Sequence, residues 1–128
     1  DGVRIGTAEI YSAVESLPEV ADSLIVGLEQ PGGRYYMPLF VVLQAGVSLT
    51  EDLTRRIKQT LRSQFSPRHV PDAVYQIREV PYTISGKKLE TPVKKILSGM
   101  DISLASSKDT LRNPAALDQF VNNSFGNG

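Results

Sequence analysis

The sequence has no cysteine and only one histidine among its 128 residues. The absence of cysteine excludes disulfide frameworks, thiol nucleophiles and cysteine-ligated zinc sites. The single histidine, His69, has no second histidine or cysteine with which to form a metal site, so we predict no metal ligands in this chain. A serine triad has no plausible support either, because His69 would have to be its general base. We interpret His69 as a structural residue of a loop.

Net charge and long apolar runs are equally lacking. Fourteen basic and fourteen acidic side chains give a formal charge of zero, so no overall field would attract nucleic acid or an anionic membrane. The apolar run near residues 39–43 is far shorter than the ~20 residues that cross a bilayer. We expect a cytoplasmic protein with no nucleic-acid or membrane partner. The first residue is Asp1 rather than methionine, which suggests a piece of a larger polypeptide.

The first half of the chain predicts a helix followed by two strands. Thr7 is the expected N-cap of a helix whose apolar positions repeat every three or four residues and which has to end before Pro18. Residues 21–28 and 35–43 are rich in β-branched, aromatic and aliphatic side chains, which predicts an antiparallel hairpin. Pro38 cannot donate a ladder hydrogen bond, so we expect the second strand to begin beyond it or to lie on an edge.

The second helix is the most clearly marked element. Residues 48–51 (Ser-Leu-Thr-Glu) have the spacing of a capping box that begins at Ser48. An apolar stripe follows at four-residue steps: Leu53, Ile57, Leu61 and Phe65. Alternation over residues 73–77 predicts a third strand, and Thr91 followed by Pro92 predicts the N-cap of a third helix.

This order predicts an α+β fold, in which helices flank a small sheet of about three strands that contains an antiparallel pair. We assign residues 1–100 to this domain. Residues 101–128 are assigned to a C-terminal extension that is partly helical or flexible. The extension opens with small polar residues, and a weak helical pattern resumes at Leu111, Leu117 and Phe120.

Residues 81–88 (Pro-Tyr-Thr-Ile-Ser-Gly-Lys-Lys) are the segment most typical of a functional site. Glycine and two hydroxyl residues favour a mobile loop, and Lys87 near its end can present a compact cation to a phosphate or carboxylate. The glycine spacing is not that of a Walker motif. From these residues alone a solvated surface turn is the commoner interpretation, so both alternatives stay open.

Two further sets of residues can contact anions. Arg55, Lys58 and Arg62 lie at i, i+3 and i+7 on the predicted second helix, opposite its apolar stripe. They can bind a phosphate or simply solvate the helix. Gly2 and Arg4 belong to the opening Gly-Val-Arg-Ile-Gly, where the glycines permit either close approach of the backbone to a ligand or a strained turn.

Taken together, residues 2–10 (Gly-Val-Arg-Ile-Gly-Thr-Ala-Glu-Ile) and 81–87 resemble the two signature motifs that frame the C-terminal lid domain of adenylate-forming acyl-CoA synthetases. The order and separation of the motifs match that family, and the resemblance covers nearly the whole chain. Residues 66–71 and 111–117 further resemble the branch that activates acetoacetate. Many relatives have an aliphatic residue and an arginine where this chain has Lys88 and Glu90, a departure that fits the same branch.

The resemblance implies a two-step ligase reaction. An acid and magnesium-bound ATP give an acyl-adenylate and diphosphate, and the thiol of coenzyme A then gives the thioester and AMP. The C-terminal domain would alternate between two poses against an N-terminal adenylation domain of the same polypeptide. That N-terminal domain would hold the acyl pocket and most contacts to ATP and magnesium, so the fragment alone should be inactive.

The resemblance also implies a role for six residues by position. Lys87 would be the catalytic lysine of adenylation, with Ser85 and Gly86 as binding residues of the same loop. Gly2 would line the pantetheine tunnel and Arg4 would support the second pose. Arg62 would contact the ribose phosphate of coenzyme A.

We also expect regulation at Lys87, and two rival functions stay open. Acetylation of Lys87 would remove its charge, which makes a lysine acetyltransferase and a deacetylase expected partners. One rival is a synthetase for another short-chain or fatty acid, because the acyl pocket would lie outside this chain. The other is a stand-alone anion-binding interaction module.

Overall fold

The computed structural model describes residues 7–29, 31–99 and 111–121. Residues 2–6 of the opening motif, which include Gly2 and Arg4, lie outside these residues. The described residues form three α-helices and five strands in the following order: α1 (Thr7–Glu15), β1 (Val20–Ile25), β2 (Leu28–Glu29), β3 (Tyr35–Tyr36), β4 (Pro38–Leu43), α2 (Glu51–Gln64), β5 (Ala73–Gln76) and α3 (Glu90–Leu97). Short 3-10 helices span Pro31–Gly33, Pro67–His69 and Pro114–Phe120.

The central sheet has three strands in the order β1-β4-β5. Strands β1 and β4 pair antiparallel, from Val20 opposite Leu43 to Ile25 opposite Leu39, and β4 pairs parallel with β5. The pairing of β2 with β3 forms a separate two-stranded sheet within the predicted hairpin. The predicted α+β fold with a partly antiparallel, three-stranded sheet is confirmed.

One expectation about the sheet was wrong. Pro38 is the first residue of β4, and β4 is the central strand rather than an edge. A proline is tolerated there because its missing N–H falls at the start of the strand. Its carbonyl oxygen still accepts a hydrogen bond from Val26 N at 3.4 Å.

Alternating side chains of the central strands separate two hydrophobic clusters. Ile25 and Leu39 face a cluster shared with α1 and α2. Leu24 and Phe40 face a second cluster, shared with α3 and with residues 111–121, which we call the tail. The predicted apolar stripe of α2 is confirmed, with its first three residues buried and Phe65 packed against the same cluster. Helices therefore cover both faces of the sheet. Each fully buried aliphatic or aromatic side chain contributes roughly 1.5–3 kcal/mol relative to exposure.

The helix starts differ from the predicted caps. Thr50, not Ser48, is the N-cap of α2, because its hydroxyl accepts a hydrogen bond from Leu53 N at 3.1 Å. Helix α1 includes Thr7 as its first residue rather than following it. Helix α3 begins at Glu90, before Thr91, without a side-chain cap bond. Tertiary packing fixes this start, since the preceding residue, Leu89, is buried and its N–H donates to the Pro81 carbonyl.

Tail residues 111–121 pack on the α3 side of the sheet. Their buried apolar side chains are Leu111, Ala116, Leu117 and Phe120, and the Phe120 ring meets Phe40 edge-on at 5.0 Å between centroids. The boundary at residue 100 stays a prediction. Within the described ranges, no helix is long and apolar enough to cross a membrane.

Candidate functional site

The lysine loop, residues 82–88, is a narrow turn closed by its own backbone. Tyr82 and Lys88 form an antiparallel bridge at its base, and Thr83 N donates to the Lys87 carbonyl at 2.8 Å. Gly86 adopts a φ of +94°, a left-handed conformation that favours glycine. Its N–H donates to the Thr83 carbonyl, and Lys87 N donates to Thr83 Oγ1 at 3.0 Å. The predicted loop is therefore a hydrogen-bonded turn.

The tip of the lysine loop is exposed. Residues 84–87 are exposed, and Ile84 retains 64% of its accessible surface. The structure thus brings the predicted residues Ser85, Gly86 and Lys87 together at one tip. Within the described residues the Lys87 ammonium forms no ion pair.

The adjacent lysine has the opposite surroundings. The side chain of Lys88 is only 15% exposed, and its Nζ lies 2.5 Å from Glu15 Oε2 and 3.2 Å from Asp22 Oδ1. The same ammonium donates to the Ser23 carbonyl at 2.6 Å and lies 3.7 Å from the centre of the Tyr11 ring. Two carboxylates, a carbonyl and an aromatic face therefore compensate the burial of this charge.

The two carboxylates are themselves hydrogen-bonded. Ser23 Oγ donates to Glu15 Oε2 at 2.7 Å, and the Tyr82 hydroxyl donates to Asp22 Oδ2 at 2.6 Å. Burial, followed by the hydrogen bond to Asp22, raises the pKa of Tyr82 above its ordinary value. Tyr82 therefore stays protonated and continues to donate at neutral pH. We call Lys88, Glu15, Asp22, Ser23 and Tyr82 the anchor cluster.

Tyr11 links this cluster to the start of α3. Its hydroxyl donates to Glu90 Oε2 at 2.7 Å and accepts from Ile25 N at 3.1 Å. Burial is the largest cause of the raised pKa of Tyr11, and the hydrogen bond with the Ile25 backbone opposes it. Glu90 thus holds α3 against α1.

The tail holds the lysine loop from its other side. Tyr82 N donates to Asn113 Oδ1 at 3.0 Å, and Arg112 N donates to the Tyr82 carbonyl at 2.9 Å. Asn113 Nδ2 donates to the Val80 carbonyl at 2.9 Å, and the Arg112 guanidinium reaches the Ile84 carbonyl at 3.4 Å. The base of the loop is therefore bonded both to the tail and to the α1–β1 edge.

The basic stripe, Arg55, Lys58 and Arg62, lies on α2. Arg55 makes a weak pair with Asp52 at 3.5 Å, with both side chains about 70% exposed. Arg62 is exposed and, among the described residues, has no ion pair. No hydrogen bond or ion pair within the described ranges joins Arg62 to the lysine loop. The structure therefore leaves Arg62 and Lys87 as two separate cationic positions.

The neighbouring Arg56 is structural. Its guanidinium donates to both carboxylate oxygens of Glu19, at 2.7 and 3.2 Å. This hydrogen bond is the main reason that the pKa of Glu19 lies below its ordinary value. The structural role of Arg56 could not be predicted from the sequence, because helical spacing alone does not reveal a partner outside the helix.

His69 has the contacts of a structural residue. Its Nδ1 lies 2.9 Å from Ser66 Oγ, and its ring stacks on Phe65 at 4.9 Å between centroids. Its Nε2 lies 3.5 Å from Glu9 Oε1. In the part of the chain that the structure describes, no group of three or more histidine, aspartate or glutamate side chains could hold a metal ion.

A cleft of about 390 Å³ lies between α1, the end of β1 and α3. Its lining includes Thr7, Tyr35 and Lys94, but none of the predicted site residues within the described ranges. The Tyr35 ring crosses so close to Gly27 that a Cβ at that position would come within 2.5 Å of it. Gly27 is thus needed for packing beside the cleft.

Comparison with known proteins shows the family to which the chain belongs. Residues 9–87 match the family model described as the AMP-binding enzyme C-terminal domain. Acetoacetyl-CoA synthetase of Caenorhabditis elegans is 48% identical over 121 residues, which cover 94% of this chain and 17% of that protein. Acetoacetyl-coenzyme A synthetase of Rhizobium meliloti (strain 1021) is 46% identical over 120 residues, covering 94% of this chain and 18% of that protein.

A solved structure has the same fold over most of the chain. Acetoacetyl-CoA synthetase from Streptomyces lividans superposes with a TM-score of 0.86 at 44% identity, covering 92% of this chain and 18% of that one. The chain therefore spans less than a fifth of the length of these relatives.

Proposed function

Since the chain belongs to the AMP-binding enzyme C-terminal domain family, we propose that it is the catalytic lid of an ATP-dependent acid–CoA ligase. The proposed reaction converts acetoacetate, ATP and coenzyme A to acetoacetyl-CoA, AMP and diphosphate through an acyl-adenylate. Relatives named acetoacetyl-CoA synthetases, at 46–48% identity over 94% of this chain, support this choice of acid. The rest of the ligase, including the N-terminal adenylation domain, would be the main partner of this chain.

The exposed Lys87 on a turn with a bonded base is the observation that carries the proposal. In adenylation a carboxylate oxygen of the acid attacks the α-phosphorus of ATP, and diphosphate leaves. The Lys87 ammonium would approach the reacting carboxylate and α-phosphate, where a preorganised cation stabilises the negative charge of the transition state. Ser85 and Gly86 would contact the nucleotide from the same exposed tip.

In the second step the sulfur of coenzyme A attacks the acyl carbonyl carbon, and AMP leaves. We propose that Arg62 binds the ribose phosphate of the coenzyme, because it is an exposed guanidinium without an ion pair among the described residues. Gly2 and Arg4, which precede the described residues, keep their proposed roles in the pantetheine tunnel and in the second pose.

Magnesium would accompany ATP and neutralise phosphate charge. The described residues contain no group of three or more carboxylate or histidine side chains that could hold a metal ion, and we propose that the protein ligands of magnesium lie in the N-terminal domain. A cytoplasmic location also remains a proposal, to be checked by cell fractionation.

Regulation by acetylation is a further part of the proposal. Lys87 is exposed near the tip of its loop, where a modifying enzyme can reach it. Acetylation would remove the positive charge used in adenylation. A lysine acetyltransferase and a deacetylase are therefore proposed as regulatory partners.

The deciding experiment measures diphosphate release and thioester formation by the full-length protein with a panel of acids. Acetoacetate should be activated faster than acetate, butyrate or a long-chain fatty acid, and the isolated chain of residues 1–128 should be inactive with all of them. A preference for another acid would change the substrate assignment. No adenylation with any acid would favour the anion-binding module, and activity of the isolated chain would contradict the lid role.

A further inference from the structure

We propose that Lys88 is a positioning residue that fixes the lysine loop through the anchor cluster and thereby orients the neighbouring Lys87. This inference rests on the proposed function, because it assigns Lys88 a part in adenylation without contact with substrate. The two adjacent lysines would then have different roles. One side chain is exposed, while the other is partly buried against α1 and β1.

Strand geometry gives the first argument. Lys88 is bridged to Tyr82 across the base of the loop, and successive side chains of an extended segment point to opposite sides. With the Lys88 ammonium held inward, the preceding side chain is directed away from the body of the domain. The exposure of Lys87 next to the partly buried Lys88 agrees with this alternation.

The second argument is that the side chains at both ends of the loop contact the same carboxylate, that of Asp22. Lys88 Nζ lies 3.2 Å from Asp22 Oδ1, and the Tyr82 hydroxyl donates to Asp22 Oδ2 at 2.6 Å. Glu15 provides a second attachment from α1 at 2.5 Å. A shift of the loop would therefore separate a partly buried ammonium from two carboxylates, which is unfavourable because its lost hydration would no longer be compensated. The anchor cluster resists such a shift.

Charge pairing explains why one side chain can have this effect. Among the described residues, Lys88 is the only cation that lies within 4.0 Å of the Glu15 and Asp22 carboxylates. Its removal would leave two neighbouring carboxylates without that shared counter-charge. The loop would then lose its attachment to α1, and its own turn hydrogen bonds would open more often.

The test uses variants of the full-length ligase in which the two half-reactions are measured separately. Lys88→Met keeps most of the length of the side chain but removes its charge, whereas Glu15→Gln weakens the same anchor without altering any loop residue. We expect Lys88→Met to lower the rate constant of adenylation by about 10²-fold, the size of effect that a 1 Å misplacement can cause. Glu15→Gln should lower it in the same direction by less. For both variants, the KM for ATP and thioester formation from supplied acyl-adenylate should stay near wild type.

The double variant Glu15→Gln/Lys88→Met tests the coupling. If both residues act through one anchor, its defect should be smaller than the product of the single defects. Lys88→Arg, which keeps the charge, should recover part of the lost rate. Hydrogen exchange supplies a readout that does not depend on activity. The amides of Gly86 and Lys87, both bonded to Thr83, should exchange faster in Lys88→Met and in Glu15→Gln.

Three results would overturn the inference. Loss of adenylation in Lys88→Met with wild-type adenylation in Glu15→Gln and unchanged loop exchange would mean that Lys88 acts on the substrate directly. Equal loss in both half-reactions, together with a lower melting temperature, would mean a merely structural role. If Lys88→Met does not fold, the rate and loop exchange of Glu15→Gln still decide, and wild-type values of both would reject the proposal.

Lys87→Ala, measured alongside, separates this inference from the proposed function. If Lys87→Ala loses adenylation while the anchor variants do not, only the positioning role is wrong. If Lys87→Ala adenylates normally, the proposed function fails and the positioning role fails with it.

Discussion

The lysine loop and the basic stripe of α2 present their cations in different ways. Lys87 follows a turn whose base is bonded to β1, α1 and the tail, so the backbone that carries its side chain is held in place. Arg62 projects from the solvent face of a regular helix. In the proposed function Lys87 stabilises charge that develops in the transition state, whereas Arg62 binds a phosphate that does not react. We therefore expect the larger kinetic effect at the loop.

Lys87→Ala should have the largest effect. Loss of one preorganised donor typically costs about 10²–10³ in rate, so acyl-adenylate formation by the full-length ligase should fall by that factor. Lys95→Ala is the matched control, because Lys95 is an exposed lysine of α3. Diphosphate release is the measurement. A similar decrease in both variants would show that general charge, rather than the loop, is responsible.

Arg62→Ala should have a smaller and different effect. Loss of a charge-assisted contact to phosphate costs roughly 1.5–3 kcal/mol, which should appear as weaker use of coenzyme A with diphosphate release almost unchanged. Arg55→Ala, on the same stripe but paired with Asp52, is the control. Comparison with dephospho-coenzyme A checks the assignment, since Arg62→Ala should hardly affect the substrate that lacks the ribose phosphate. An equal loss with both substrates would argue against it.

Asn113→Ala should loosen the tail side of the loop. The change removes the acceptor for Tyr82 N and the donor to the Val80 carbonyl. A half-buried group left without its partner costs about 1–3 kcal/mol. Faster hydrogen exchange at the Tyr82 amide is the expected result, with exposed Asp118→Ala as the control. Unchanged exchange would show that the loop is held without the tail.

The smallest effect concerns pH. The pKa of Glu19 is lowered mainly by the hydrogen bond from Arg56, so this pair contributes stability above the ordinary pKa of the carboxyl. That contribution is lost as pH falls through the lowered pKa of the folded state. Glu19→Gln should therefore be slightly less stable than wild type at neutral pH, with the difference vanishing in acid. Melting temperatures across the acid range measure this, and a constant difference would contradict it.

The fold could largely be predicted because periodicity reports burial. The stripe of α2, the apolar composition of residues 21–28 and 35–43, and the alternation over residues 73–77 indicated the correct elements and their order. The caps could not be predicted as well. Ser48 and Thr50 are both good caps by composition, and only the packed helix shows that Thr50 accepts the bond. The start of α3 was missed because buried Leu89, rather than a polar cap, determines it.

The candidate site could be predicted only where its residues are contiguous. Ser85, Gly86 and Lys87 form a local motif, and the structure brings them to one tip. The anchor of Lys88 depends on Glu15 and Asp22, which lie more than sixty residues earlier in the chain. No local pattern connects those positions. The adjacency of two lysines at the end of a turn indicates only that their side chains should point in opposite directions.

The most direct test of the central claim supplies ready-made acetoacetyl-adenylate and coenzyme A to the full-length Lys87→Ala variant. If Lys87 serves adenylation alone, the variant should form thioester from this intermediate at a rate near wild type, although it hardly produces the intermediate itself. A loss in this second half-reaction as large as the loss in the first would contradict the account, because the lysine would then serve both steps or only the stability of the domain.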